Sequence, residues 1–292
     1  MSAVPTEKQG RKTAIVTGGA SGLGTAIAEH FASQGHNVAI LDVSVDAGNE
    51  LASKLVTDYP EAKVIFKQCD VSSWKNQAET FKEVYTQYGR IDIVVANAGI
   101  SEQGRSALAS IEDDEPQEPN LKVLDVDLSG VIYSSSYVLR TVKAVKLAIH
   151  YLNKNPQTGS SRGLIICTAS NAGLYPFPVS PLYAAAKAGV IGLIRSTAPI
   201  VERLQIQING LAPAILWSNI SPDKSLYDNM VVTPLSTLVD GVRKFVEDTS
   251  LNGELAEIHG RDPGKVTLRP PHEVVDEDSR KNLENFWRLG WA

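Results

Sequence analysis

The residues best suited to chemistry are Tyr183 and Lys187, which lie in the stretch SPLYAAAKAG (180–189). The stretch is rich in alanine and predicts a helix, so residues four apart lie one above the other on one face. A tyrosine is a poor base at neutral pH unless a nearby positive charge stabilises its phenolate, and the lysine ammonium is such a charge. The alternative is an ordinary surface helix, because this spacing occurs in many helices.

A glycine-rich turn, TGGASGLG (17–24), lies between a β-branched run and a helical pattern. Gly18, Gly22 and Gly24 allow a tight turn, a close approach of the backbone to a pyrophosphate, and close packing of helix on strand. The N-terminus of the following helix offers free N–H groups to phosphates. The turn therefore indicates nucleotide binding, with an ordinary glycine turn as the alternative.

Asp42 ends the next apolar run, 42 − 24 = 18 residues after the last glycine of the turn. A carboxylate there can accept hydrogen bonds from ribose hydroxyls and would repel a 2′-phosphate. Neither arginine nor lysine occupies Ala20, Ser21 or Val43, where a cation could hold that phosphate. This pattern favours NAD(H) over NADP(H), the alternative being an aspartate that only begins a turn.

Short apolar runs alternate with helical patterns along most of the chain. This alternation predicts an α/β fold, a doubly wound (Rossmann) parallel β-sheet with helices on both faces, in a single domain. The predicted strands are 13–18, 37–42, 63–71, 91–99, 163–170, 206–213 and 254–260. The predicted helices are 22–35, 46–57, 73–88, 121–152, 182–204 and 237–248.

The remaining segments are assigned no helix or strand. Residues 1–12 are polar and read as a flexible N-terminal segment, and the domain spans 13–292. It includes a loop at 214–230 and a tail at 261–292 that is broken by prolines, charged, and aromatic at its end.

Composition narrows the classes of function. With 43% hydrophobic and 21% charged residues, the chain can form a globular core. A net charge of −5 with scattered basic residues predicts no nucleic-acid partner. We also predict no membrane span and a cytoplasmic location, since neither a signal peptide nor a long apolar run was found. Cys69 and Cys167 each lie in an apolar run, so we predict buried thiols and no metal site.

Several motifs occur together and in one order. They are TGGASGLG, CDV (69–71), NAG (97–99), Ser170, YAAAK (183–187) and NGLAPAILWS (209–218). With them the chain resembles the short-chain dehydrogenase/reductase family from Thr13 to about Ser218. The stretches LDVDLSGVIY, TASNAGLYPFP, PLYAAAKAGV and NLENFWRLGWA are most similar to fungal members related to 15-hydroxyprostaglandin dehydrogenase and 5′-hydroxyaverantin dehydrogenase.

The resemblance implies roles for four catalytic residues. Tyr183 would be the general acid/base, and Lys187 would hold the nicotinamide ribose and stabilise the phenolate. Ser170, 183 − 170 = 13 residues earlier, would bond the substrate oxygen. Asp127 stands where the family usually has an asparagine whose backbone carbonyl holds a water on the lysine. It could act through its own carbonyl, favour the charged lysine, or have no chemical role.

The resemblance also implies a cofactor site and a substrate site. The cofactor-binding residues would be Gly18, Ser21, Gly22, Leu23, Gly24, Asp42, Asp70, Val71, Asn97, Ala98, Gly99, Tyr183, Lys187, Pro213, Leu216 and Ser218. Taken alone, Asp70 reads as a helix N-cap. The substrate-binding residues would be Leu174, Tyr175, Phe177, Trp217, Tyr227 and Met230, an apolar lining suited to a bulky alcohol or ketone. Hydrophobic packing or an oligomer contact is the alternative for part of that lining.

Besides Asp127, the segment after Pro213 and the interval from Asn97 to Ser170 depart from the family pattern. Pro213 is followed by alanine where the family usually has glycine, and Ser218 stands where it has threonine. The interval from Asn97 to Ser170, 170 − 97 = 73 residues, is longer than the family needs. We assign the excess to a surface loop at 101–120 and to the extra residues SSSYVLRTVK (134–143), which would carry a helix past the sheet edge or bulge at SSSY.

The sequence thus predicts an NAD(H)-dependent oxidoreductase that interconverts a bulky secondary alcohol and a ketone, in fungal secondary metabolism. A homodimer or homotetramer is expected from the family. Two alternatives stay open: an isomerase, epimerase or cyclase on the same fold, and a catalytically silent NAD-binding regulatory protein.

Overall fold

The computed structural model describes residues 10–101, 115, 119–131, 144–156, 161–218 and 224–289. Within these residues, eight strands form one sheet in the order β3-β2-β1-β4-β5-β6-β7-β8. The strands from β1 to β7 are parallel, and β8 runs antiparallel to β7. Their bounds are β1 (Thr13–Thr17), β2 (Asn37–Asp42), β3 (Lys63–Gln68), β4 (Ile93–Ala96), β5 (Gly163–Thr168), β6 (Ile206–Pro213), β7 (Leu255–His259) and β8 (Lys265–Leu268).

Helices connect the parallel strands. They are α1 (Gly22–Ser33), α2 (Val45–Asp58), α3 (Trp74–Tyr88), α4 (Lys122–Leu124), α5 (Ala144–Leu152), α6 (Pro181–Glu202), α7 (Leu235–Glu247) and α8 (Glu277–Leu289). A π-helical turn (Asp125–Ser129) follows α4, and short 3₁₀ turns lie at Asn171–Gly173 and Lys224–Tyr227.

The parallel strands are buried on both faces, as their unbroken apolar runs predict. On one face, strand residues such as Ile15 pack with α3, α5 and α6 through Phe81, Leu152 and Val190. On the other face, residues such as Val16 pack with α1, α2 and α7 through Ile27, Leu55 and Phe245. These two layers confirm the doubly wound sheet.

Several predicted boundaries were wrong. Strands β3, β4 and β5 end two or three residues earlier than predicted, at Gln68, Ala96 and Thr168. After β4 the chain leaves the ladder because the N–H groups of Asn97 and Ala98 bond the Thr17 hydroxyl, at 3.0 and 3.1 Å. These strand ends cannot be read from the apolar runs, because apolar residues also occur in the turns that follow.

The tail at 261–292, to which no helix or strand was assigned from the sequence, contains β8 and α8. The antiparallel strand is only four residues long, and its pattern is too short to stand out beside the prolines that follow. Helix α8 begins after Asp276, whose carboxylate accepts the Ser279 N–H at 2.7 Å as an N-cap does. Pro270 and Pro271 upstream obscured that signal.

The helical pattern predicted over 121–152 contains a turn at Gly130 and Val131 after the π-helical segment, and α5 begins at Ala144. The predicted bulge at SSSY lies outside the described residues. The carbonyls of Gly130 and Val131 accept from the N–H groups of Ala144 and Val145, both at 3.3 Å. In an α-helix, a carbonyl accepts from the N–H of the residue four positions later. Here the bonded residues are 144 − 130 = 14 positions apart, which is ten more than in a continuous helix. The hydrogen bonds at Ala144 therefore have the register of a continuous helix from which ten residues have been removed. The extra residues 134–143 and nearly all of the loop 101–120 lie outside the described residues.

Within the described part of the chain, α6 is long and apolar enough to cross a membrane by length and composition alone. This helix packs on the sheet, where it buries Val190, Ile194 and Val201. A core helix passes the same test, so the finding is weak support for a membrane span.

Candidate active site at the carboxyl ends of the parallel strands

The predicted site residues meet at one edge of the sheet. The glycine turn follows β1, Asp42 ends β2, Asn97 follows β4, and Ser170 follows β5. Pro213 ends β6. Carboxyl ends of parallel strands share an edge, and β1 beside β4 is where the strand order reverses, the usual place for a ligand in such sheets.

The glycine turn is tightly packed against the loop after β4. Gly18 has a φ of 60°, and a Cβ there would lie 2.7 Å from the Cα of Ala98. At Gly24 a Cβ would lie 2.0 Å from the carbonyl oxygen of Gly18. No larger residue fits either place, so the backbone stays bare where α1 begins, next to Ser21 and Leu23.

Asp42 holds this turn from the second strand. Its Oδ2 accepts from the Ala20 N–H at 3.1 Å, and its Oδ1 accepts from the Ser44 N–H at 3.0 Å. A carboxylate has about four lone-pair sites, so each oxygen can still accept from a ribose hydroxyl. The carboxylate therefore both shapes the turn and remains available to a ligand.

Asn97 joins three strands at the centre of the site. Its amide donates to the carbonyls of Thr17 and Gly18, at 3.1 and 3.2 Å, and its Oδ1 accepts from the Thr168 hydroxyl at 3.2 Å. Thr17, whose role was not predicted, holds the NAG turn through its hydroxyl. The one sequence feature that could have indicated this role is the position of Thr17 at the end of β1.

Asp70 and Val71 follow β3, as predicted for the adenine side. The carboxylate of Asp70 accepts from the N–H and hydroxyl of Ser72, at 2.8 and 2.7 Å. The N-cap of α3 is Ser73, whose hydroxyl accepts from Asn76, so the alternative interpretation of Asp70 as the N-cap is wrong.

Tyr183 and Lys187 lie on one face of α6, and their side chains are adjacent. The Lys187 ammonium lies 5.5 Å from the centroid of the Tyr183 ring. It is 2% exposed and donates to the carbonyl of Thr168 at 3.0 Å. An ammonium buried so deeply beside a phenol is not the solvated helix face of the alternative interpretation.

Asp127 forms a buried ion pair with Lys187. The distance from Lys187 Nζ to Asp127 Oδ2 is 3.1 Å, and Oδ1 accepts from the Ile100 N–H at 2.7 Å. The pair packs on Gly99, where a Cβ would lie 2.9 Å from Oδ2. The contact with Lys187 therefore argues against the interpretation of Asp127 as a helix residue without a role.

This pairing sets the charge of both groups. Burial raises the pKa of the Asp127 carboxyl, against the lowering effects of Lys187 and the Ile100 N–H. Burial by itself acts to lower the pKa of Lys187, but the Asp127 carboxylate, followed by Tyr183, brings that pKa above its ordinary value. The direction expected for Lys187 is confirmed, and the lysine remains an ammonium at neutral pH.

Ser170 lies two residues beyond β5 and begins the 3₁₀ turn Asn171–Gly173. Its hydroxyl accepts from the Ala172 N–H at 3.2 Å and lies 3.3 Å from Asn171 Oδ1. These are the contacts expected of a serine that begins a turn. A catalytic role and this cap are compatible, because a hydroxyl has two acceptor lone pairs and one donor.

The segment after β6 crosses toward residues 231–233. Leu216 is 4% exposed and forms an isolated parallel bridge with Thr233. The Ala214 N–H donates to the Ile258 carbonyl at 2.9 Å. Ser218 is half-buried at the end of this described stretch.

The predicted substrate residues lie in different surroundings. Phe177 is next to Tyr183, with ring centroids 6.3 Å apart. Trp217 and Tyr227 pack together with centroids 4.7 Å apart, and Met230 lines a surface cavity. Leu174 packs against the core, whereas the Tyr175 hydroxyl contacts charged groups of the C-terminal strands.

Comparison with known proteins agrees with this geometry. The family model described as short chain dehydrogenase matches residues 12–226. The chain belongs to the short-chain dehydrogenase/reductase family. It is 32% identical over 245 residues to the short-chain dehydrogenase/reductase prx6 of Penicillium rubens, covering 81% of this chain and 76% of that protein.

Two further proteins show the same relationship. The chain is 31% identical over 268 residues to the mouse (Mus musculus) 15-hydroxyprostaglandin dehydrogenase [NAD(+)], covering 85% of this chain and 89% of that protein. The structure of the NADPH-dependent 3-quinuclidinone reductase from Rhodotorula rubra has a TM-score of 0.68 and 25% identity, covering 88% and 95%. The predicted relation to fungal members and to 15-hydroxyprostaglandin dehydrogenase is confirmed.

The short-chain dehydrogenase/reductase assignment fits the residues present. Gly18 and Gly24 let the turn pack closely on the loop after β4 and on itself. The first N–H groups of α1 can then bind a pyrophosphate, and Asp42 can accept from a ribose. The protein is therefore an oxidoreductase of the type that uses a nicotinamide dinucleotide. Similar proteins are named for NAD and for NADPH, so the choice between the two rests on this chain's own residues.

Proposed function

We propose that the protein is an NAD(H)-dependent dehydrogenase that interconverts a bulky apolar secondary alcohol and its ketone. The observation that carries the proposal is the buried Lys187 ammonium beside the Tyr183 ring. A fixed positive charge next to a phenol stabilises the phenolate and makes the tyrosine a base.

Each catalytic side chain has one task in the reaction. Tyr183 removes the hydroxyl proton of the alcohol, or returns it to the ketone. The hydroxyl of Ser170 donates to the same substrate oxygen and holds it near the phenol. Lys187 stabilises the phenolate, and Asp127 keeps that lysine charged. The nicotinamide, when bound, accepts or supplies the hydride.

The cofactor and substrate preferences rest on separate residues. Asp42 supports NAD(H), because a carboxylate repels a 2′-phosphate, and no cation occupies Ala20, Ser21 or Val43. Phe177, Trp217 and Tyr227 support a bulky apolar substrate. A role in fungal secondary metabolism, a cytoplasmic location and a homodimer or homotetramer remain parts of the proposal.

Fluorescence titration with NADH and NADPH, followed by assays with secondary alcohols and ketones, tests the proposal. Tighter binding of NADH with net oxidation or reduction is the expected result. Product formation without net cofactor turnover would favour the isomerase, epimerase or cyclase alternative. Binding without any reaction would favour the regulatory alternative, and tighter binding of NADPH would contradict the role of Asp42.

A further inference from the structure

The turn that carries Ser170 is fixed from two sides. On one side it packs on α6, where a Cβ at Gly173 would lie 2.7 to 2.9 Å from backbone atoms of Lys187 and Ala188. On the other side, the turn ends at Tyr175, whose N–H donates to the Asn171 carbonyl at 2.9 Å. What holds the side chain of Tyr175 therefore also holds the turn.

The Tyr175 hydroxyl joins a charged pair on the C-terminal strands. It donates to Oε2 of Glu257 at 3.1 Å and accepts from Nη2 of Arg269 at 3.0 Å. The Nε of Arg269 lies 3.4 Å from the same carboxylate oxygen, and its guanidinium carbon lies 5.8 Å from the tyrosine ring centroid. Glu257 is 8% exposed, so its charge is largely removed from water.

The partners of Tyr175 come from the antiparallel end of the sheet. Glu257 lies in β7 opposite Thr267 of β8, and the Arg269 N–H donates to the Leu255 carbonyl at 2.7 Å. Arg195 of α6 then donates to the carbonyls of Arg269 and Pro270, at 3.2 and 3.1 Å. The contacts thus form a closed path from α6 through β8 to the turn and back to α6.

Two members of this path lie outside the part of the chain that the family model matches. The family model ends at residue 226, whereas Glu257 and Arg269 follow it. We propose that Glu257 and Arg269 are positioning residues that hold the Ser170 turn in place through the Tyr175 hydroxyl. The proposal rests on the proposed function only for its kinetic consequence.

The mechanical consequence follows from the placement of the hydrogen bonds. Four amides of the turn bond within it: Ala172, Gly173, Leu174 and Tyr175. If the Tyr175 hydroxyl loses its partners, one end of this turn is released, and the Ser170 hydroxyl moves relative to Tyr183. A displacement of about 1 Å in a reacting group can cost about a hundredfold in rate.

Two variants test the proposal in the full chain. Tyr175→Phe removes only the hydroxyl, and Arg269→Gln removes the guanidinium that bridges Tyr175 and Glu257. We expect hydrogen exchange of the turn amides to be about tenfold faster in either variant. We also expect kcat to fall about tenfold, the NADH Kd to stay unchanged, and the double variant to lose little more than either single variant.

Tyr59→Phe is the matched control. It removes a tyrosine hydroxyl that donates to Glu29 at 3.1 Å, the same distance as in the Tyr175–Glu257 bond, between α1 and the end of α2. This variant should leave the turn amides and kcat unchanged. Unchanged exchange of the turn amides in Tyr175→Phe and Arg269→Gln overturns the proposal, whether or not the protein turns over an alcohol. If the wild type shows no turnover while exchange responds as expected, the proposed function fails and the positioning role stands.

Discussion

The ammonium nitrogen of Lys187 lies 3.1 Å from Oδ2 of Asp127, and both side chains are almost completely buried. A buried pair of this kind is costly to break, because one charge is left without a partner in a medium of low polarity. The contact connects the π-helical turn after α4 with the helix that carries Tyr183. Under the proposed mechanism, stability and catalysis are therefore linked at this ion pair.

Asp127→Asn tests this link through stability. Asparagine can still accept from the Ile100 N–H, but it leaves the Lys187 ammonium without a carboxylate. We expect the free energy of unfolding at neutral pH to fall by about 3 kcal/mol. Asp125→Asn, the same change at an exposed position in the same turn, should alter it by no more than about 0.5 kcal/mol.

The pH dependence of this difference follows from the pKa of Lys187. Folding raises that pKa above its ordinary value of 10.5, so the lysine contributes stability that is complete below 10.5. The contribution is lost as the pH rises through the higher value of the folded protein. In Asp127→Asn the lowering effect of burial on the Lys187 pKa is no longer offset by a carboxylate, so the variant gains stability as its lysine loses its proton below pH 10.5. Chemical denaturation at a series of pH values should therefore show the widest gap between wild type and Asp127→Asn near neutral pH, and a gap that narrows towards alkaline pH. A gap that widens there would contradict the pairing.

Asp42→Asn tests the cofactor preference. The amide oxygen can still accept from the Ala20 N–H, so that bond of the glycine turn is retained while the charge that repels a 2′-phosphate is removed. The amide NH2 group cannot accept from the Ser44 N–H, so that second bond is lost. We expect NADH to bind about tenfold more weakly and NADPH to bind more tightly than in the wild type, measured by fluorescence titration. Asp46→Asn, in the first turn of α2, is the control for net charge. An unchanged ratio of the two affinities would show that Asp42 does not select the cofactor.

Deletion of residues 134–143 tests how the helix resumes at Ala144. Because Ala144 and Val145 bond the carbonyls of Gly130 and Val131, removing ten residues should produce a continuous helix. We expect a folded protein that keeps its cofactor affinity and turnover.

A nine-residue deletion, 134–142, is the matched control for that experiment. It rotates α5 by about 100° and turns Val145, Ala148 and Leu152 away from the core, so it should lower the melting temperature sharply. Equal stability of the two deletions would mean that the register across Gly130 and Ala144 is not specified.

The parallel part of the sheet could be predicted because each strand is a continuous apolar run between helical patterns. The ends of the strands could not be predicted, because the bonds of Asn97 and Ala98 to the Thr17 hydroxyl join residues that are far apart in the chain. The motifs indicated the candidate catalytic residues, whereas the contacts of Tyr175 with Glu257 and Arg269 could not be predicted. Those contacts depend on β8 folding back beside β7, and a four-residue strand has almost no signal of its own.

The central claim is that Tyr183 transfers the proton in an NAD(H)-dependent oxidation or reduction. The most direct test is to measure turnover and NADH affinity for Tyr183→Phe beside the wild type, with Tyr59→Phe as the control. We expect a loss of turnover of about a thousandfold in Tyr183→Phe with unchanged NADH affinity, and no effect in the control. Turnover retained by Tyr183→Phe would contradict the assignment.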